Sequence, residues 1–306
     1  MYKVVSLFSG CGGLDLGFKE AGFDIIWAND FDKYAVESYK HNISDHIICE
    51  DINNIKPSDI PEHDLLLAGF PCQPFSMMGK ELGFSDYRGT LFFKILNILK
   101  YHLDTYGSPK IIVLENVKNL QTHDNGKTFK IMKESLEELG YTVNVDTLNS
   151  ADYGVPQTRN RTYVVGIKDL PGTFQFPREL PLEKTLQDLL ENNVDKKYFL
   201  SDKILKTVMS TGTKNYYAKP EIDLPIARPL CATMAKMHRA SQDNYVTDNG
   251  KIRRLTPREC ARLQGFPDSF EIVVSDSQAY KQFGNAVTVN VSFQVANSIL
   301  TFLENT

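Results

Sequence analysis

Residues 3–21 read KVVSLFSGCGGLDLGFKEA: an apolar run, a turn rich in glycine, then apolar residues at helical spacing. The run 3–8 does not alternate apolar with polar, so it predicts a strand buried on both faces. Residues 14–21 predict the helix that follows it. The same unit recurs outward from there. Residues 23–29, 46–49, 64–68, 110–115, 142–148 and 163–167 read as strands, and 32–41, 91–103 and 128–139 as helices. Apolar strands interleaved with helices predict an α/β chain with a doubly wound, mostly parallel sheet covered on both faces.

From about 182 to 254 the rhythm breaks into polar text rich in Asn and Lys, such as NNVDKKYFLSDK at 192–203. Thr256-Pro257-Arg258-Glu259 then has the form of a capping box with proline at the first helical position. Residues 287–302 read as a helix returning to the sheet. The expected division is a catalytic domain over 1–182, a small irregular domain over 183–253, and a hinge and C-terminal segment over 254–306.

The chain has 306 residues, 42 % of them hydrophobic, enough for a sizeable core. Its 34 Lys+Arg against 38 Asp+Glu give a net charge of −4, which taken whole argues against a nucleic-acid partner. The distribution reverses that inference. Residues 196–264 hold 14 Lys+Arg against 6 Asp+Glu, a local +8, while the rest of the chain carries 20 against 32, or −12. A basic segment inside an acidic protein suits a phosphate partner. Five cysteines with no C-x-x-C spacing predict neither a disulfide framework nor a zinc site, and favour a reducing compartment. The opening residues lack the pattern of a secretory leader, and no stretch approaches eighteen apolar residues. The expectation is a soluble cytoplasmic protein with no membrane span and no metal.

Two stretches bear chemistry. The turn at 8–13, FSGCGG, opens a helix whose N–H groups face a ligand, and Asp30 stands twenty residues after Gly10, where an acid binds ribose. That pairing implies a nucleoside cofactor and leaves NAD and S-adenosylmethionine both open. Residues 64–76, DLLLAGFPCQPFS, run a strand into Cys72 between Pro71 and Pro74. Two prolines fix the backbone on either side of a thiol at the carboxyl edge, where ligands of such sheets bind.

With that cysteine the chain resembles the cytosine-C5 DNA methyltransferase family. The likeness rests on FSGCGG at 8–13, PCQPFS at 71–76, Glu115-Asn116-Val117, Gln157-x-Arg159-x-Arg161, RLTPRECARLQGFP at 254–267 and QFGNAV at 282–287, in the family's order. It implies a Rossmann-like S-adenosylmethionine-dependent methyltransferase fold with a small target-recognition domain. Cytosine C5 is a poor nucleophile, and thiolate attack at C6 makes it an enamine carbon, so the resemblance makes Cys72 the covalent catalyst. Glu115 is matched to the group that protonates N3, for which a raised pKa is expected. Arg161 is matched to cytosine O2 and Arg159 to support of the thiolate and phosphate; two apart on an extended segment, they would face one way.

For the cofactor the resemblance implies Phe8, Gly10, Gly12, Gly13 and Pro71 around the methionine end, Asp30 at the ribose, Phe31 on the adenine face and Asp51 at its amino group, with Leu91 and Asn285 completing the cradle. Asp30 is one methylene shorter than the glutamate common in the family. Gln73, Ser76 and Lys80 fall on the nucleophile loop and its continuation, read as closing over duplex DNA. Because C6 is hidden in a duplex, the target base must be flipped out. Thr233 is matched to the threonine that supports it, and Lys236, His238, Arg239, Gln242 and Asn244 are candidates for reading base edges. The reading is a bacterial or phage enzyme of restriction–modification type, monomeric, with a cognate restriction endonuclease as functional partner. The alternative is a tRNA cytosine-C5 methyltransferase of the same fold. A NAD-dependent dehydrogenase leaves Cys72 and Glu115 without roles, and a non-enzymatic DNA-binding regulator uses the basic segment alone.

Overall fold

A computed structural model describes residues 1–71, 91–213, 216–217, 219–236, 238 and 241–306. The chain divides into two compact units: the first holds Met1–Leu148, Asn160–Arg178 and Ser292–Thr306, the second Asn149–Arg159 and Glu179–Val291. Residues 254–291 therefore group with the irregular segment that precedes them.

The first unit is built on β1 (Lys3–Leu7), α1 (Gly13–Glu20), β2 (Asp24–Asp30), α2 (Lys33–Asn42), β3 (Ile47–Cys49), β4 (Leu65–Ala68), α3 (Leu91–Tyr106), β5 (Ile111–Val117), α4 (Lys127–Glu138), β6 (Thr142–Asn149) and β7 (Asn160–Ile167). The strands form one seven-stranded sheet in the order β3-β2-β1-β4-β5-β7-β6. Strands β3, β2, β1, β4 and β5 run parallel, and β7 lies antiparallel to β5. The doubly wound reading is borne out. Chain order reverses between β1 and β4, so the carboxyl edge there is the crevice in which such sheets take a ligand.

Burial explains the unbroken apolar text. All four residues of β4 (Leu-Leu-Leu-Ala) and the last four of β1 are buried. One face packs Leu66 and Leu114 under Phe92, Ile95, Leu96 and Leu99 of α3. The other carries Val36 and Tyr39 of α2, with Ile43 just past its end, against Ala28 and Ile47. Each large side chain so enclosed contributes about 1.5–3 kcal/mol.

The second unit contains α5 (Asp202–Val208), the short strands β8 (Gly212–Thr213) and β9 (Tyr216–Tyr217), β10 (Tyr245–Asp248), β11 (Lys251–Arg254), α6 (Pro257–Arg262) and α7 (Asp276–Asn285), and α8 (Val289–Glu304) starts in it. The capping box at Thr256 forms with both of its hydrogen bonds. The β10–β11 hairpin turns on Asn249 and Gly250, both at positive φ (50° and 76°), as a two-residue hairpin turn requires. Arg253 and Glu259, each about 1 % exposed or less, meet in a bidentate pair at 2.8 Å. Asp248 also accepts from Arg253 Nε at 2.8 Å, so the hairpin is bolted to α6.

Among the described residues, Asp276–Glu304 is long and apolar enough to cross a membrane. It is two helices, α7 and α8, and Val289, Val291, Val295, Ala296, Ile299 and Phe302 are buried in the protein.

Candidate active site

At the carboxyl end of β1 the chain turns sharply. Phe8 and Gly10 both take left-handed φ, 58° and 56°, and Gly12 follows at 93° as the residue that starts α1. An aromatic residue at positive φ is uncommon and costly, so the surroundings must hold it there. The neighbouring strand supplies part of that hold. Ser9 N donates to Asn29 O, and Gly10 N to Asp30 Oδ2, at 2.9 and 2.8 Å. Asp30 Oδ1 also accepts from Asp32 N at 2.8 Å. Burial pushes the Asp30 carboxyl above its ordinary pKa, and these backbone donors partly offset that.

A Cβ built on Gly10 would meet nothing within 4 Å, so there is open space beside this turn, whereas on Gly12 it would strike Ile43. Gly13 is buried in the first turn of α1. Just past β2, Phe31 is 72 % exposed, an unusual position for a phenyl ring. Past β3, the exposed Asp51 caps a short 3₁₀ turn, its Oδ1 accepting from Asn53 N at 2.9 Å. Leu91 opens α3, half-buried against the core, and Pro71 is exposed. A carboxylate with lone pairs to spare, an exposed ring and open space at a glycine turn fit a nucleoside. Asn285 is exposed at the end of α7 in the second unit.

Two strands further along the same edge, Glu115 is 7 % exposed and its Oε1 lies 3.2 Å from Arg161 Nε. The ladder explains the meeting. Glu115 pairs with Tyr163 and Val117 with Arg161, so Glu115 and Arg161 are diagonal neighbours on one face. Because β7 runs against β5, the start of β7 falls at the carboxyl end of β5. The next residue, Asn116, is buried, donates to Phe70 O at 2.9 Å and accepts from Val117 N at 2.8 Å. It thereby ties the chain just before Pro71 to β5. Cys72, Gln73, Ser76, Lys80 and Arg239 lie outside the described residues. Of the other cysteines, burial pushes Cys11 up to about 12 and Cys260 well above the ordinary thiol value, so both stay protonated.

The spacing argument for Arg159 and Arg161 assumes one extended strand over both residues, and Arg159 stands before it. Strand β7 begins only at Asn160, and Arg159 N turns back to Gln157 O at 3.0 Å, so the alternation of an extended segment does not reach it. Its guanidinium is 2 % exposed and donates to backbone carbonyls of the second unit: Leu230 and Gly284 at 3.3 Å and Ala286 at 2.8 Å.

In that unit Thr233 and Lys236 are exposed on a turn, and Gln242 is exposed. Asn244 is not placed to read a base: its Oδ1 accepts from Arg228 N at 2.8 Å and its Nδ2 donates to Arg228 O at 3.0 Å. His238 is engaged by Arg254 Nη2 at 2.9 Å and lies stacked on Tyr245. Sequence reasoning missed Asn116 as a tether, Gln157 and Asn244 as backbone partners, and the hairpin, whose Asn-Gly dipeptide between YVTD and KIRR was its signal. Among the described residues no group of three His, Cys, Asp or Glu could hold a metal.

Comparison with known proteins is consistent along the whole chain. The family described as C-5 cytosine-specific DNA methylase matches residues 2–301. The chain is 47 % identical over 301 residues to Type II methyltransferase M.NgoBI of Neisseria gonorrhoeae, covering 95 % of this chain and 90 % of that protein. It is 44 % identical over 310 residues to Type II methyltransferase M.HaeII of Haemophilus aegyptius, covering 99 % and 94 %. In structure it is similar to the S. pombe Dnmt2 methyltransferase, with a TM-score of 0.80 at 23 % identity over 98 % of this chain and 99 % of the other; that likeness concerns the fold.

Proposed function

The chain belongs to the C-5 cytosine-specific DNA methylase family, and we propose that it moves a methyl group from S-adenosylmethionine to C5 of a flipped-out cytosine in a short duplex DNA sequence, through a covalent Cys72 adduct. The observation that carries the reading is the Glu115–Arg161 pair on β5 and β7, one residue from the Asn116 tether that leads to Pro71 and Cys72.

The Cys72 thiolate adds to C6 while N3 takes a proton from Glu115, which makes C5 an enamine carbon. S-adenosylmethionine, when bound, supplies the methyl group. Asp30 would accept from the ribose hydroxyls, Phe31 would cover the adenine, and the turn at Phe8 and Gly10 leaves room beside it. After transfer the C5 proton leaves to a base, the C6–S bond breaks, Cys72 departs as thiolate and the N3 proton returns to Glu115. Arg161 keeps the Glu115 carboxyl aimed and has N–H groups to spare for cytosine O2. Arg159 serves the same end indirectly, by holding backbone.

The basic segment 196–264 is assigned to DNA, with Thr233 supporting the flipped base and Lys236 meeting phosphate or base edges. The relatives being type II methyltransferases supports a restriction–modification role beside a cognate endonuclease, and the reading includes a monomer acting in the cytoplasm. Transfer of a labelled methyl group to duplex DNA, with tRNA in parallel, tests this. Labelling of duplex DNA supports it; labelling of tRNA alone ends it.

A further inference from the structure

Residues 227–230 belong to no helix or ladder, yet their backbone is held as closely as that of a central strand. Ala227 donates to Pro156 O at 2.8 Å and accepts from Thr158 N at 2.9 Å. Arg228 has both its groups taken by the Asn244 amide. Leu230 N donates to Gln157 Oε1 at 2.9 Å, and Leu230 O accepts from Arg159 Nη1 at 3.3 Å. Pro229 has no N–H to satisfy. Every N–H of this rail therefore ends on a partner distant in sequence, a pattern that costs buried polar side chains and calls for a reason.

The rail leads directly to Thr233. Beyond Leu230 the backbone lies against Gly284 so closely that a Cβ there would stand 2.3 Å from Ala232 N. A turn closed by Met234 N on Cys231 O then leaves Thr233 exposed. Gln157 is the hub of the arrangement. It is fully buried, and besides accepting from Leu230 its Nε2 donates to Leu263 O at 2.5 Å, where α6 ends. One amide thus fixes the rail to a helix.

We propose that Gln157 is a positioning residue for the target base: it locks residues 227–230 and so holds Thr233 at one place. This rests on the reading of Thr233 given above. A displacement of about 1 Å at a reacting site can cost on the order of 10²-fold in rate. Gln157→Met keeps the side chain's bulk and removes its hydrogen bonds to Leu230 N, Leu263 O and Gln264 Oε1. Single-turnover methyl transfer should slow ~10- to 100-fold, with KM for duplex and the affinity for S-adenosylmethionine unchanged. Thr233→Ala should slow transfer in the natural background and add less than about 2-fold in the Gln157→Met background, since nothing is left to aim. Should Gln157→Met not fold, Asn244→Ala loosens the same rail and should couple to Thr233 in the same way. Wild-type rates for Gln157→Met, no effect of Thr233→Ala alone, or effects that simply multiply would each overturn the proposal. Failure of the unaltered protein to methylate any duplex would overturn the functional reading itself, and this inference with it.

Discussion

Arg161 Nε stands 3.2 Å from Glu115 Oε1 because β7, antiparallel to β5, places its first residues beside the last residues of β5. A buried carboxylate and a guanidinium that is one-fifth exposed are costly to desolvate and are kept together by geometry. Glu115→Gln retains the shape and removes the transferable proton. It should slow the chemical step by at least ~10²-fold, read by single-turnover transfer, while cofactor affinity stays within about 2-fold. Arg161→Ala should do likewise and also lower stability by about 2 kcal/mol, because it strands the carboxylate. Unaltered single-turnover rates for Glu115→Gln would remove it from the proton path.

Asn116 is expected to act on the nucleophile at one remove. Asn116→Asp keeps the acceptor for Val117 N and loses the donor to Phe70 O, which frees the segment before Pro71. Adduct formation should slow ~10-fold or more with little change in KM for DNA. A wild-type adduct rate would mean that the tether does not aim Cys72.

Asp30 accepts from Gly10 N and Asp32 N, and its remaining lone pairs are the ones assigned to ribose. Asp30→Ala should weaken binding of S-adenosylmethionine by ~10- to 100-fold in calorimetry, the loss of one or two charge-assisted hydrogen bonds. Binding to duplex DNA should hold. Unchanged cofactor affinity would place the ribose elsewhere.

Two buried groups set the acid response in opposite senses. Burial pushes His63 down to about 4 from an ordinary 6.5, so the unfolded chain binds the extra proton. Its contribution is complete above pH 6.5 and is lost as pH falls towards 4, a change of about 3 kcal/mol. Asp15, enclosed with Ser6 and Tyr39, is pushed up to about 6, so the folded state binds the proton and its cost grows as pH rises from 3.8 to 6. Relative to wild type, the change in urea midpoint from pH 6.5 to 4.5 should therefore move towards greater stability at pH 4.5 for His63→Gln and towards lower stability at pH 4.5 for Asp15→Asn. Parallel shifts in both variants would refute these assignments.

The mostly parallel sheet was legible because its central strands are unbroken apolar runs, as in Leu65–Ala68, while the order of the strands and the polar strand β6 were not. Asp30 and Glu115 were legible by place, at strand ends on the ligand edge. For Arg159 the two-residue spacing gave no guide, since it implies a shared face only inside a ladder and β7 starts at Asn160. Asn244 and Gln157 read as polar residues of an irregular segment. Their partners are backbone groups up to 106 residues away, which no local pattern announces. The β10–β11 hairpin was hidden by composition, although Asn249-Gly250 marks it.

The central claim is that Cys72 becomes bonded to the target base. Duplex DNA carrying 5-fluorocytosine at the target cannot release a proton from C5, so elimination stops and the adduct persists. With S-adenosylmethionine present, the protein should shift in mass by the methylated duplex strand, and Cys72→Ser should give no such species while still binding the cofactor. An adduct that survives Cys72→Ser, or normal turnover by that variant, would contradict the account.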